Sequence, residues 1–436
     1  MDGIVAEPEA GPIAPEAGRE DEAADLARQK RRELVLILML ASVQFTSIVD
    51  FMIVMPLGPQ LERVLDLSPQ QFGRIVSSYT VAAGVAGFVA SFLMDRFGRK
   101  AAFLTLYAGF LLGTLLCGLA WSYPTLLAAR VATGVFGGIL GGLALAIVGD
   151  VVPENRRGWA TGVLMTAFAL ASVFGVPVGL KLGTDFGWQT PFLILAALGL
   201  PVLFLAVAVL PPLRGHIAKV EGASLARRTA DMFAHSDHVR AFALTVALMF
   251  GGFSVIPYIS VYLVANGGLR EDQLFWIFVV GGLLTLFGAP MIGKAADRFG
   301  KLPVFRAVSL CAMVMLIAIT NLGAVPIWAA AAVFGVLMLC NAGRMVPAMA
   351  MVTASVQPSR RGGFMSANSA VQHLAAGLAA DVGGRLLARG PGGTILHFDR
   401  VGYFAAAFTL LCLWLAGRLR AARPIADVVE VQTSSV

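Results

Sequence analysis

Long apolar runs alternate with short polar stretches along almost the whole chain. A helix needs about 20 mainly apolar residues to cross ~30 Å of hydrocarbon, because it rises ~1.5 Å per residue. Runs of this kind recur twelve times, so the pattern predicts twelve transmembrane helices, called spans one to twelve below. They lie at 34–57, 72–94, 101–121, 126–149, 159–181, 190–210, 241–265, 274–296, 303–322, 327–352, 364–386 and 401–417.

The composition is that of a membrane protein and excludes an ordinary soluble domain. Hydrophobic residues make up 58% of the chain and charged residues only 14%, whereas soluble domains carry about a quarter charged residues. The 48 glycines suit closely packed membrane helices. All four cysteines lie inside apolar runs, where we interpret them as packing residues rather than disulfide partners or metal ligands. We therefore expect neither a metal nor a cofactor.

Basic residues recur in short clusters between the spans rather than in one patch, so the net charge of +7 does not indicate nucleic-acid binding. The clusters before span one and after the even-numbered spans fall on one side of a twelve-span protein. The positive-inside rule therefore predicts that both termini are cytoplasmic. We interpret 1–33 and 421–436 as disordered cytoplasmic tails, since they are poor in apolar bulk, and 211–240 as a cytoplasmic linker.

Two loop motifs occur twice at nearly the same offset. "DRFGRK" begins at Asp95 and "DRFGK" at Asp297, which are 202 positions apart, and Arg156 of "PENRRG" precedes Arg360 of "PSRRG" by 204. The chain is thus an internal repeat with halves at 34–210 and 241–420. Parallel repeats with a site between them are an architecture of secondary transporters. The predicted fold is an all-α membrane protein with twelve transmembrane helices in two pseudo-symmetric six-helix halves around a central cavity.

These loop motifs resemble the signature G-x-x-x-D-R-x-G-R-K of the major facilitator superfamily, and the resemblance covers nearly the whole chain apart from the tails. It implies that Asp95 faces the start of span eleven and Asp297 the start of span five, where a helix N-terminus favours a carboxylate. Such contacts would hold the cytoplasmic side closed and break when it opens. Alternatively, the basic residues only set the topology. Lys100, Gly293 and Lys301 also match the signature, and the candidates for gating within the two motifs are Asp95, Arg96, Gly98 and Arg99, then Asp297, Arg298 and Gly300.

Span five contains "FGVPVG", with Gly175, Pro177 and Gly179. This segment resembles the glycine–proline motif of exporters of the antiporter kind in that family. Glycine and proline at these positions would let helices approach closely and bend. The resemblance therefore implies export, and we group these residues with the loop motifs as candidates for conformational gating.

Asp50 and Arg130 are the principal candidates for chemistry, because ionisable groups at membrane depth default to a functional hypothesis. Counting the helical rise places both about 6 Å below the outer boundary, Asp50 near the end of span one and Arg130 near the start of span four. The resemblance implies that these spans meet at the cavity. We predict a proton-coupling pair, in which conformational change alters the balance of charge attraction and desolvation. The alternative is a static ion pair that orients two helices.

Other polar side chains recur on single helix faces, and they indicate surfaces turned away from lipid. The proposed lining of the substrate cavity comes from spans one, seven, ten and eleven. The alternative is hydrogen bonding between helices; Arg344 could equally extend toward the cytoplasm. The candidates are Thr46, Tyr258, Tyr262, Asn266, Asn368, Gln372 and Arg344.

The sequence therefore predicts a secondary transporter of the cell inner or plasma membrane that exports a small organic molecule, drug-like or sugar-like, in exchange for protons. Its expected partners are that substrate, protons and the lipid bilayer, and family resemblance implies a monomer. A proton-coupled importer, or symporter, and a uniporter remain alternatives of the same fold. A membrane enzyme needs a motif such as H-E-x-x-H, which the sequence lacks. A receptor that does not transport is the remaining alternative class.

Overall fold

The computed structural model describes residues 16–93, 97–212, 236–357 and 361–419, and this part of the chain is almost entirely helical. The first half contains α1 (Glu16–Ile53), α2 (Gly58–Val64), α3 (Pro69–Leu93), α4 (Arg99–Gly118), α5 (Tyr123–Val151), α6 (Arg157–Leu170), α7 (Val176–Phe186) and α8 (Thr190–Val209). The second half contains α9 (Ser236–Phe253), α10 (Ile259–Ala265), α11 (Leu274–Phe299), α12 (Lys301–Thr320), α13 (Ile327–Ala354), α14 (Arg361–Leu386), β1 (Ala388–Arg389), β2 (Ile395–Leu396) and α15 (Phe398–Ala416).

These helices correspond to the twelve predicted spans. Within the described chain, eleven stretches are helices long and apolar enough to cross a membrane. Span five combines α6 and α7, joined by the π-helical turn Ala171–Gly175, and span seven combines α9 and α10. The remaining span, span eleven, is α14, whose 26 residues are rich in glycine, alanine and polar side chains. It packs extensively against α3 of the first half, so neighbouring protein replaces lipid around much of its surface.

The first helix is longer than predicted. It begins at Glu16, inside the stretch 1–33 that the sequence predicts to be a disordered tail. Alanine, glutamate, arginine and lysine dominate this stretch, and they are strong helix formers that can extend an existing helix. Most of the predicted linker and the whole of the predicted C-terminal tail lie outside the described residues, as do Asp95 and Arg96.

The two ends of the bundle differ, and we name them by their loops. The terminal face is where span one begins and span twelve ends, and it carries residues 97–98, 152–156 and 355–357. The hairpin face carries residues 54–68 and 387–397, the latter including the antiparallel β1–β2 hairpin.

Ion pairs formed by three described arginines join the halves at the hairpin face. Arg389 contacts Glu62 at 2.9 Å, Arg74 contacts Asp381 at 3.8 Å, and Arg63 contacts Glu271. At the terminal face, the ion pairs between described residues stay within one half.

Contacts along the helices agree with this asymmetry. Near the hairpin face, glycines of α14 let α3 approach so closely that a Cβ at Gly377 would lie 3.0 Å from the Ser77 carbonyl oxygen. On α6, toward the terminal face, a Cβ at Gly158 or Gly162 would meet no atom within 4 Å. The described residues therefore hold the halves together at the hairpin face, whereas the ion pairs and the two α6 glycines compared at the terminal face make no such contact.

Candidate functional site

Asp50 of α1 and Arg130 of α5 form an ion pair inside the first half. The Arg130 Nη1 donates to Asp50 Oδ2 at 2.8 Å and to the Asp50 backbone carbonyl at 3.3 Å. Both side chains are 0% exposed. The two charges that depth counting assigned to the same level thus touch, and neither has solvent as an alternative partner.

Two further spans complete this site. The Thr114 hydroxyl of α4 donates to Asp50 Oδ1 at 3.1 Å, so both carboxylate oxygens have donors. The Tyr79 ring of α3 lies 4.5 Å from the Arg130 guanidinium carbon, which adds a cation–π contact. The Nε and Nη2 atoms of Arg130 have no hydrogen-bond partner among the described residues. Buried donors of this kind could bind water or a substrate oxygen only in a conformation that opens the site.

The sequence did not identify Thr114 or Tyr79. Both lie within apolar spans, where a single hydroxyl normally indicates only a hydrogen bond to its own helix. Their spacing carries no sign of a partner on α1 or α5. Only helix packing brings the four side chains together.

Span one is seated against the glycines of span five. A Cβ at Gly175 would lie 2.3 Å from Val49 Cγ2, and one at Gly179 would lie 2.7 Å from Ile53 Cδ1. The π-helical turn ends at Gly175, just before Pro177. Proline lacks an N–H and disturbs the regular ladder, and π-turns often occur at such interruptions. The segment singled out in span five therefore fixes the close approach of the helix that carries Asp50.

The structure brings the candidate cavity residues of spans one and seven to separate packing positions. Thr46 donates to the Val43 carbonyl at 2.9 Å. Tyr258 donates to the Ala380 carbonyl of α14, and the Tyr262 ring lies 4.6 Å from the Phe398 ring. Both tyrosines are buried. In this conformation they line contacts between helices, so their role in a cavity stays a prediction.

Asn266 connects α10 to the hairpin. Its amide nitrogen donates to the Ile395 carbonyl at 3.0 Å, and its oxygen accepts from the Ile395 N–H at 2.8 Å. Ile395 in turn pairs with Arg389 across the two strands. Asn266 therefore positions the hairpin.

The remaining cavity candidates lie within the second half. The buried Asn368 accepts a hydrogen bond from Thr245 at 2.8 Å, whereas Gln372 is half-buried. Arg344 is 1% exposed and donates to Asn341 at 2.7 Å and to Thr409 at 3.4 Å. Thus Arg344 does not extend to solvent in this conformation.

An aromatic contact crosses between the halves beside the ion pair. The Phe51 ring lies 5.3 Å from Tyr79 and 6.1 Å from Phe253 of α9. Because Phe51 directly follows Asp50 and Tyr79 contacts Arg130, this cluster links the charged site to the second half. A rearrangement between the halves would therefore change the surroundings of the ion pair.

The described gating candidates from the two loop motifs lie at the terminal face. The Arg99 Nε contacts Asp150 Oδ2 of the same half at 2.9 Å, and Gly98 precedes α4 as its N-cap. Asp297 and Arg298 are exposed at the end of α11. Gly300 has φ +94, a left-handed conformation that glycine adopts without strain, and it makes the tight connection between α11 and α12. A Cβ added at Gly158, at the start of span five, would meet no atom within 4 Å, and the contact of Asp297 with this helix start stays a prediction.

The chain matches a known family over most of its length. Residues 40–235 and 241–434 match the family model described as Major Facilitator Superfamily. It is 25% identical over 382 residues to the uncharacterized MFS-type transporter YceJ of Bacillus subtilis (strain 168), covering 87% of this chain and 95% of that protein. The inner membrane transport protein YdhP of Escherichia coli (strain K12) is 27% identical, with 83% and 91% covered. A probable sugar efflux transporter of Pasteurella multocida (strain Pm70) is 24% identical, with 59% and 62% covered.

Solved structures share the architecture. A bacterial homolog of the human lysosomal transporter Spinster, in an inward-facing and unoccupied conformation, has a TM-score of 0.71 at 17% identity, covering 90% of this chain and 99% of that one. A D-xylose–proton symporter has a TM-score of 0.72 at 16% identity, with 88% and 96% covered. These likenesses confirm the predicted fold of twelve helices in two halves.

Proposed function

Because the chain belongs to the major facilitator superfamily, and is thus a multi-pass membrane transporter and not an enzyme, we propose that it exports a small organic molecule in exchange for protons. Transport would proceed by alternating access between the halves 34–210 and 241–420, joined by the linker 211–240. We further propose that both termini and the terminal face are cytoplasmic, that the hairpin face is external, and that the protein acts as a monomer.

The Asp50–Arg130 pair is the observation that carries this proposal. A fully buried carboxylate keeps its charge only while a countercharge and hydrogen bonds offset desolvation. Arg130 and Thr114 supply these partners here. If the halves rearrange, the contact through Phe51 and Tyr79 changes, and water or substrate can reach the unused Arg130 donors. Asp50 would then take up or release a proton as the conformation changes, and substrate would compete for the same groups.

Export is favoured by two observations. The glycine–proline segment at Gly175–Gly179 resembles that of antiporter-type exporters and packs directly on the Asp50 helix. One relative is called a probable sugar efflux transporter. Import coupled to protons would use the same pair, so the direction of substrate movement against an imposed pH gradient decides between the two.

The test is transport in proteoliposomes. Ligands are first selected from sugar-like and drug-like amphipathic compounds by the rise in apparent stability that binding produces. We expect the selected compound to move against its gradient when a pH gradient is imposed. Asp50→Asn should abolish this pH-driven movement while leaving ligand-induced stabilisation detectable.

Asp185→Asn is the matched control, since this carboxylate is exposed and pairs with Lys181 within one helix. It should transport as the natural protein does. Full pH-driven transport by Asp50→Asn would overturn the proposed coupling, and uphill substrate movement in the same direction as protons would overturn the proposed exchange.

A further inference from the structure

Another buried carboxylate, Glu62, lies at the hairpin face, twelve positions after Asp50 in the chain. Glu62 belongs to the short helix α2, which follows span one. Its side chain is 4% exposed and its Oε2 accepts a hydrogen bond from Arg389 Nη2 at 2.9 Å. Its Oε1 is buried with no hydrogen-bond partner among the described residues. An ionised carboxylate with one unsatisfied buried oxygen is costly, whereas a proton on Oε1 removes the charge.

The position of Glu62 ties its burial to the relation between the halves. α2 belongs to the first half, and Arg389 lies on β1 of the second half. The hairpin that carries Arg389 is anchored to α10 by the two hydrogen bonds between Asn266 and Ile395. Separation of the halves would therefore move Arg389 away from Glu62 and admit water.

The charged and titratable groups facing this carboxylate are few. Arg389 is the direct partner, and Asp66, in the turn after α2, reaches the same guanidinium at 4.0 Å. The Tyr258 hydroxyl interacts electrostatically with Glu62. The adjacent Arg63 is engaged with Glu271. The countercharge of Glu62 is thus provided by Arg389, which is partly exposed and also contacts Asp66.

We propose that Glu62 is a proton-binding site separate from the Asp50 pair, and that it takes up its proton from the external side as the hairpin face closes. This inference rests on the proposed alternating access, which supplies the open state of that face. The ligand is the proton itself. An acidic exterior would thereby return the transporter to the conformation open at the terminal face, ready to load substrate.

The sign of the effect follows from the desolvation of Glu62. Burial raises the pKa of its carboxyl from 4.5 to about 7, against the opposing influence of Arg389. In an open, hydrated state we take the ordinary value to apply. The closed state then binds the proton more tightly, so lower pH favours closure. Between pH 8 and pH 6 the ratio of closed to open protein should rise about ten-fold by this linkage.

Proton binding is read directly by infrared spectroscopy of the full-length protein in lipid. The band of a protonated carboxyl should appear in the natural protein with a midpoint near pH 7, as the Glu62 pKa of about 7 requires. It should be missing from Glu62→Gln. Arg389→Met removes the countercharge and should move the midpoint to higher pH. A midpoint at the ordinary glutamate value, or an unchanged band in Glu62→Gln, would overturn the proposal.

Closure is read by labelling Ser77→Cys, a position 7% exposed between α3 and α14, with an impermeant thiol reagent added outside. Rates are divided by those of Trp121→Cys, which is 78% exposed, to remove the effect of pH on the thiol. The corrected rate should fall about ten-fold from pH 8 to pH 6. In the double variant Ser77→Cys with Glu62→Gln, the corrected labelling rate should be low and independent of pH.

Glu271→Gln is the control, because it removes a carboxylate from another ion pair between the halves and should leave the pH dependence in place. Persistence of the full pH dependence in Glu62→Gln would contradict the link to closure. Absence of labelling at every pH would contradict that link together with alternating access. The infrared band needs no transport, so it distinguishes failure of the proton site from failure of the proposed function.

Discussion

At the scale of single residues, the protein buries the carboxylates of Asp50 and Glu62 and surrounds them differently. Asp50 receives donors on both oxygens, from Arg130 and Thr114. Glu62 receives one donor on one oxygen. The first arrangement offers both carboxylate oxygens a donor and a countercharge, whereas the second leaves one buried oxygen without a donor.

Replacing Arg130 by methionine should destabilise the protein by roughly 3–5 kcal/mol, because Asp50 would be left buried without a countercharge. The double variant Asp50→Leu with Arg130→Met should lose less, since it removes both charges and keeps apolar volume. Thermal unfolding of the purified protein in one detergent measures both. Equal or greater loss in the double variant would contradict the ion pair as the source of the effect.

At the scale of elements, span five shows how glycine placement sets helix distance. Gly175 is helical, with φ −61, so its importance is steric rather than conformational. Its missing side chain makes room for Val49 of span one. The sequence already indicated close packing at this segment, but not which helix would fill the groove.

Gly175→Ala should therefore cost about 1–3 kcal/mol, the usual effect of overpacking, because its Cβ would lie 2.3 Å from Val49 Cγ2. Gly162→Ala is the matched control in the same span, where no atom lies within 4 Å of the added Cβ. This control should be neutral or slightly stabilising, since alanine favours helix. Unfolding midpoints compare the two, and Val49→Ala should rescue Gly175→Ala but leave Gly162→Ala unchanged. Similar losses in both glycine variants would point to helix distortion instead.

At the scale of the whole molecule, the ion pairs between the halves that involve described residues lie at one end. The ion pairs that join them lie at the hairpin face, where α3 and α14 also pack closely. Partly exposed pairs contribute little individually, so closure depends on their sum with the helix contacts. Removing one pair should shift the balance without abolishing closure.

Arg63→Ala removes the contact with Glu271 and should raise external labelling of Ser77→Cys by about two- to five-fold, the range expected for one such pair. The matched control is Lys181→Ala, which removes an ion pair lying within span five. It should leave the labelling rate unchanged. A rate insensitive to Arg63→Ala would show that this pair does not hold the face closed, and an equal rise in both variants would indicate a general loss of surface charge.

The sequence by itself determined that the chain lies in a lipid bilayer, how many spans it has, that its two halves repeat, and which family it resembles. Each depends on patterns along one helix or on motifs at a fixed offset, which need no knowledge of neighbours. Counting depth even selected Asp50 and Arg130 as partners, because helical rise is uniform and both spans start at identifiable boundaries.

Contacts that depend on helix rotation were decided only by the tertiary structure. Thr114 and Tyr79 joined the charged pair, and Tyr262 and Asn266 became packing and anchoring residues, because polar stripes show which face avoids lipid but not what that face meets. The burial of Glu62 likewise depends on a hairpin more than 300 positions later in the chain, whose Arg389 donates a hydrogen bond to it. Burial is a property of the assembled halves, so a charge in a short loop helix gives no sign of it in the sequence.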